Sequence, residues 1–87
     1  MYVIITYDVD QKRVAKVCKK IREYLDWSQN SVFEGEITEG ALARCLSDLQ
    51  KIINKKEDSI YVYRVNNPKH LKKMIYGIEK SPVELFL

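Results

Sequence analysis

Residues 2–7, Tyr-Val-Ile-Ile-Thr-Tyr, are an unbroken apolar, β-branched and aromatic run, followed after Asp8-Val9-Asp10 by apolar residues at helical spacing. A strand that passes so quickly into an amphipathic helix restricts the fold to a sheet covered by helices. The run lacks clear alternation, which predicts a central strand buried on both faces. Asp10 is placed to cap the helix, whose stripe is Val14, Val17, Cys18, Ile21, Tyr24 and Leu25, so residues 11–25 are expected to be helical.

The same alternation continues down the chain. Asp26-Trp27-Ser28-Gln29-Asn30 breaks the helix, and Ser31–Ile37 reads as a strand, or as one bent strand whose beginning reaches back to Ser28. Gly35 inside it points to a bulge or a close backbone approach. Thr38 can cap a second helix built on Leu42, Cys45, Leu46, Leu49, Ile52 and Ile53. Lys55-Lys56-Glu57-Asp58 reads as a solvated turn, and Ser59–Val65 as the next strand, ended by Asn66-Asn67-Pro68. After that, Leu71, Met74, Ile75 and Ile78 fit a helix, while Met74-Ile75-Tyr76 fits a short strand equally well. Val83–Leu87 is a terminal strand pattern after Pro82.

Strand, helix, strand, helix, strand and a strand-like tail within 87 residues predict one α+β domain, a ferredoxin-like sandwich with two helices on one face of a small antiparallel sheet. An unpaired Val-Glu-Leu-Phe-Leu tail would expose an edge, so residues 81–87 are expected to pair with a second copy of the chain. No apolar run reaches the roughly 18–20 residues that cross a bilayer. With no basic segment ahead of its apolar opening, the N-terminus reads as the start of the mature fold. Cys18 and Cys45 lie on apolar stripes and form no C-x-x-C pair, as expected of buried thiols in a reducing cytoplasm.

A net charge of +3 excludes a blanket polycation. Its distribution does not exclude a nucleic-acid protein. Lys12, Arg13, Lys16, Lys19, Lys20 and Arg22 are opposed only by Glu23 on the first helix, and a second cationic stretch runs through residues 51–80. Such faces can follow a phosphate backbone, although a lysine-rich helix face is more often simply solvated. Hard ligands gather at one place, Asp8 and Asp10 at the carboxyl end of the first strand. Two carboxylates per chain are few for Mg²⁺, and a symmetric dimer that joined two copies of Asp8 would remedy that. The alternative is that Asp10 is only a helix cap and Asp8 only a turn residue. Tyr2, Tyr7, Tyr61 and Tyr63 suit core packing better than base stacking, and His70 suits the surface.

Two motifs resemble the small CRISPR-associated adaptation proteins of the Cas-two family. One is the apolar strand ending in Tyr7-Asp8-Val9 before a basic helix containing Arg13. The other is Gln29-Asn30-Ser31-Val32-Phe33-Glu34-Gly35-Glu36, close to the family's Gln-x-Ser-Val-Phe-Glu-Gly strand. Tyr24-Leu25 stands where the family often has Tyr-Gly. The resemblance implies a ferredoxin-like homodimer with an exchanged C-terminal strand and one Mg²⁺ shared by the Asp8 of both chains. Asp8 is then the catalytic residue and metal ligand of a phosphodiester endonuclease acting on RNA or DNA, with Tyr7, Arg13 and Phe33 near the shared cleft; Asp10 and Lys16, beside it in the sequence, are expected to bind substrate as well. It also implies a role in spacer acquisition beside the Cas-one integrase. The competing readings are a non-enzymatic scaffold for double-stranded DNA and a toxin-type messenger-RNA interferase.

Overall fold

The computed structural model describes residues 1–81, in the order β1 (Tyr2–Asp8), α1 (Gln11–Arg22), β2 (Asp26–Gln29), β3 (Val32–Glu36), α2 (Glu39–Ile52), β4 (Ser59–Val65) and a 3₁₀ turn at Pro68–His70. The four strands form one antiparallel sheet in the order β2-β3-β1-β4, with β1 central as expected. Both helices cover one face, which makes this the ferredoxin-like α+β sandwich.

Each helix is set by its cap. The Asp10 carboxylate accepts from the Lys12 N–H at 2.9 Å, and the Thr38 hydroxyl accepts from the Ala41 N–H at 3.1 Å. The first helix stops at Arg22, short of the expected Leu25. Leu25 still reaches the core through a turn in which its N–H donates to the Ile21 carbonyl at 2.9 Å. Val3, Ile5 and Tyr7 of β1, Phe33 of β3, Val17 and Ile21 of α1 and Leu42, Cys45 and Leu49 of α2 form the buried layer between sheet and helices.

Three expectations need correction. The first strand is not buried on both faces: Val3, Ile5 and Tyr7 are buried, whereas Tyr2, Ile4 and Thr6 are half-buried on a sheet face that no helix covers. The strand expected over 31–37 is present as β3, but it does not bend back to Ser28: β2 and β3 are the two arms of a hairpin turning at Asn30-Ser31, with Asn30 at φ 33°. Asn tolerates that left-handed backbone better than most residues. The bulge lies on β2, between Trp27 and Gln29, and not at Gly35. Nor does backbone approach Gly35 closely: a Cβ there would meet the Leu25 side chain at 3.4 Å and the Asp26 nitrogen at 4.0 Å, ordinary van der Waals contact.

Residues 71–81 form neither the expected helix nor the expected short strand. They run beside the uncovered face, where the Lys73 ammonium meets the Glu34 carboxylate at 3.4 Å and the Ser28 hydroxyl at 3.3 Å. The expected terminal strand at Val83–Leu87 lies outside the described residues.

Candidate active site

Three loops meet at the carboxyl end of β1. The β2–β3 turn is tied there by the Tyr7 N–H, which donates to the Ser31 carbonyl at 3.1 Å. The turn before β4 is tied there because Asp8 faces Ser59 in register. Between them the β1–α1 loop carries Val9 and Asp10.

Asp8 is exposed on the last position of the strand. Alternation along β1 places it on the uncovered face with Thr6, and its carboxylate has no hydrogen-bond or ion-pair partner among the described residues. A free carboxylate on a rigid strand end is a hard oxygen ligand of the kind Mg²⁺ takes, one or two at a time with several waters retained. The donor chemistry therefore fits such an ion. Among the described residues no three His, Cys, Asp or Glu side chains gather at one point.

The other expected site residues divide by burial. Lys16 is exposed on α1, with Lys12 and Lys19 on the same side, and none of the three ammonium groups has an ion-pair partner among the described residues. Asp10 is the helix cap that its alternative reading described; one carboxylate oxygen is engaged by the Lys12 N–H, and its negative charge suits a phosphate poorly. Tyr7 faces inward. Its hydroxyl lies 2.9 Å from Cys18 Sγ and donates to the Asn30 carbonyl at 3.4 Å. Burial first, and then the Cys18 contact, push its ionisation well above the ordinary tyrosine range, so it stays a neutral phenol.

Phe33 does not reach a substrate surface at all. Its side chain is 0% exposed, with its ring 6.1 Å from that of Tyr7 and the Arg22 guanidinium 5.8 Å from its centroid. Position 33 on β3 faces the helices, so the ring belongs to the core. The family resemblance sets Arg13 beside the substrate, yet its Nε donates to Asp58 Oδ2 at 2.6 Å and its Nη2 to Asp58 Oδ1 at 3.1 Å and Glu57 Oε1 at 2.8 Å.

Asp58 is the residue that sequence reasoning misses. Its neighbours in the chain make it part of a solvated turn, but its side chain is fully buried. Besides Arg13 it accepts from the Asp10 N–H at 2.9 Å and the Asn54 N–H at 2.8 Å. The Arg13 fork, helped by those two amides and opposed by burial, holds its carboxyl far below the usual carboxylate range. Its contribution to stability is therefore complete above the ordinary aspartate value of 3.8 and is lost as pH falls from there through the lowered native value. One signal in the sequence points to it: Arg13 is an arginine among lysines, and Arg is the cation suited to forked, buried pairs.

The family model described as CRISPR associated protein Cas2 matches residues 1–74. This chain belongs to the Cas2 family. A relative from Thermodesulfovibrio yellowstonii, named CRISPR-associated endoribonuclease Cas2 3, is 51% identical over 80 residues, covering 92% of this chain and 91% of the relative. One from Dictyoglomus turgidum, named CRISPR-associated endoribonuclease Cas2, is 46% identical over the whole of both chains. Among solved structures, one described as "Crystal structure of cas2" superposes with a TM-score of 0.86 at 40% identity, covering 100% of this chain and 98% of the other. Streptococcus pyogenes Cas2 at pH 6.5 gives 0.72 at 33% identity over 85% of this chain and 99% of that one. The Cas2 likeness extends through the whole sheet and both helices, so Asp8 sits in a frame common to the family.

Proposed function

We propose that the chain is a metal-dependent endonuclease of RNA or DNA that acts in CRISPR spacer acquisition beside the Cas-one integrase, with Asp8 as catalytic residue and Mg²⁺ ligand. The observation that carries this reading is the Asp8 carboxylate, which has no partner among the described residues and lies on the sheet face that neither α1 nor α2 covers. That face is apolar where a soluble monomer would be polar: Ile4 and Val32 lie beside Tyr61 and Tyr63, which are 58% and 53% exposed. A second copy packed there, with its own Asp8 at the matching strand end, completes the ligand set. The names of the curated relatives favour RNA cleavage among the possible reactions.

The Asp8 carboxylates of the two copies would hold Mg²⁺, which would supply Lewis acidity toward the phosphate and a water of lowered pKa. The chain's own residues do the rest. Asp8 holds its position because β1 pairs with β4 as far as Asp8 itself and with β3 as far as Thr6. Lys12, Lys16 and Lys19 offer point charges to the flanking phosphates. Purified protein should cleave single-stranded RNA or DNA in Mg²⁺, lose that cleavage in chelator and regain it on adding Mg²⁺ back. Cleavage that persists at the same rate in chelator would remove the metal from the reading.

Lys12, Lys16 and Lys19 on α1, without an ion-pair partner among the described residues, also favour the scaffold reading, in which the dimer binds duplex DNA without cutting it. Replacing Lys12, Lys16 and Lys19 together by Glu should weaken duplex binding at least tenfold at low salt. It should also flatten the plot of log affinity against log salt by about 0.9 for each phosphate that is no longer neutralised. Unchanged affinity and slope would place the nucleic acid elsewhere on the surface.

A further inference from the structure

We propose that Asp58 and Arg13 are positioning residues for Asp8: together they form a buried clamp that fixes the β1–α1 loop, and Arg13 is not a phosphate ligand. This rests on the reading of Asp8 as the metal-binding carboxylate.

The clamp holds Asp8 from both sides. On the strand side Asp8 pairs in register with Ser59, the residue next to Asp58. On the loop side the Asp10 peptide is gripped at both ends. Its N–H donates to Asp58 Oδ1 at 2.9 Å, and its carbonyl accepts from the N–H groups of Arg13 at 2.9 Å and Val14 at 3.0 Å. Val9 alone lies between that fixed peptide and Asp8, which leaves the carboxylate little freedom to drift.

The charges explain why a carboxylate and an arginine are needed. Asp58 receives four donors on two oxygens: the Asp10 N–H and Arg13 Nη2 on Oδ1, the Asn54 N–H and Arg13 Nε on Oδ2. Only an ionised carboxylate accepts on both sides in that way. An Asn would turn an NH₂ toward two of the donors. Were Arg13 to swing out to a phosphate, a fully buried anion would be left with two backbone amides as its only partners, a large penalty for one surface interaction. The guanidinium side chain is itself only 19% exposed. Arg13 is thus committed inward, while Lys12, Lys16 and Lys19 have no ion-pair partner among the described residues.

The test compares Asp58→Asn and Arg13→Gln with the wild type and with Asp8→Asn, using full-length protein. Steady-state cleavage in Mg²⁺, Mn²⁺ affinity by calorimetry, the salt slope of nucleic-acid binding and amide exchange are measured on each. Both clamp variants should lose about 10–100-fold in kcat with KM within about twofold, as is typical when a group supporting a metal ligand is removed. Mn²⁺ affinity should fall about tenfold, the Asp10 amide should exchange at least tenfold faster, and the salt slope should not move. A merely structural role would leave kcat per folded molecule and Mn²⁺ affinity at wild-type values, and that result overturns the proposal. So does the opposite split, in which Arg13→Gln raises KM at constant kcat and reduces the salt slope by about 0.7–0.9, as the removal of one phosphate-binding cation would. If Asp58→Asn does not fold, Arg13→Gln decides alone by the same criteria, since it leaves both backbone bonds of Asp58 in place. Should Asp8→Asn itself bind Mn²⁺ and cleave normally, the reading of Asp8 falls and the clamp proposal with it. Should Asp8→Asn be inert while the clamp variants are normal, only the clamp proposal falls.

Discussion

Asp8→Asn is expected to reduce phosphodiester cleavage by more than about 100-fold while leaving the thermal midpoint essentially where it was. The two halves of that result come from the same fact. The Asp8 side chain is exposed and makes no hydrogen bond or ion pair among the described residues, so the fold loses nothing when its charge is removed. Surface substitutions of this kind stay within about 0.5 kcal/mol. The amide keeps the size and one acceptor oxygen of the carboxylate but not its negative charge, and a hard cation such as Mg²⁺ is held by that charge. Loss of a direct ligand should exceed the roughly 10–100-fold cost of losing a supporting group. The same variant separates intrinsic activity from a copurifying nuclease, because a contaminant is indifferent to it. Cleavage at the wild-type rate by a folded Asp8→Asn protein would end the catalytic assignment.

The parts of the fold legible in the sequence are those with a long local signal. Seven residues of β1, the apolar stripes of α1 and α2 and the alternation of β4 each repeat often enough to name the element, and Asp10 and Thr38 mark the helix starts. Strand β2 lacks such a signal. It is four residues long, Asp-Trp-Ser-Gln, sits at the sheet edge and is interrupted by the bulge between Trp27 and Gln29, so no alternation survives. Its existence follows from the turn at Asn30-Ser31, whose meaning depends on what lies on either side. The segment after Pro68 misleads for the opposite reason. Its apolar residues suggest a regular element, but Met74, Tyr76 and Ile78 are exposed in this chain and have no core to pack on. The site shows the same division. Asp8 can be found because a carboxylate at a strand end is a local feature. Asp58 cannot be found from its own neighbours, since its meaning depends on Arg13, 45 residues earlier, and on the Asp10 amide, 48 residues earlier, which come near only in the folded chain. The resemblance to the family brings Arg13 and Phe33 toward the cleft by position alone; their burial turns them inward.

Phe33→Ala should therefore act on stability and not on substrate recognition. The ring is 0% exposed and lies beside Tyr7 under the Arg22 guanidinium, in the layer that joins β3 to the helices. Removing it deletes buried surface and leaves a cavity that the rigid sheet cannot close, which costs about 3–5 kcal/mol for a phenylalanine in a packed core. The loss takes with it a tilted aromatic pair and a cation–π interaction, each worth about 1 kcal/mol at most sites. Domains of this size are stable by only about 5–15 kcal/mol in total. The thermal midpoint should accordingly fall by more than about 10 °C. Phe33→Leu keeps most of the volume and should cost about half as much or less. Thermal unfolding monitored by circular dichroism measures both, and cleavage assayed well below the lowered midpoint separates the two roles. A core residue predicts normal KM in Phe33→Leu at that temperature. A rise in KM with an unchanged midpoint would mean that the ring meets substrate after all, and that the β3 strand turns outward when nucleic acid binds.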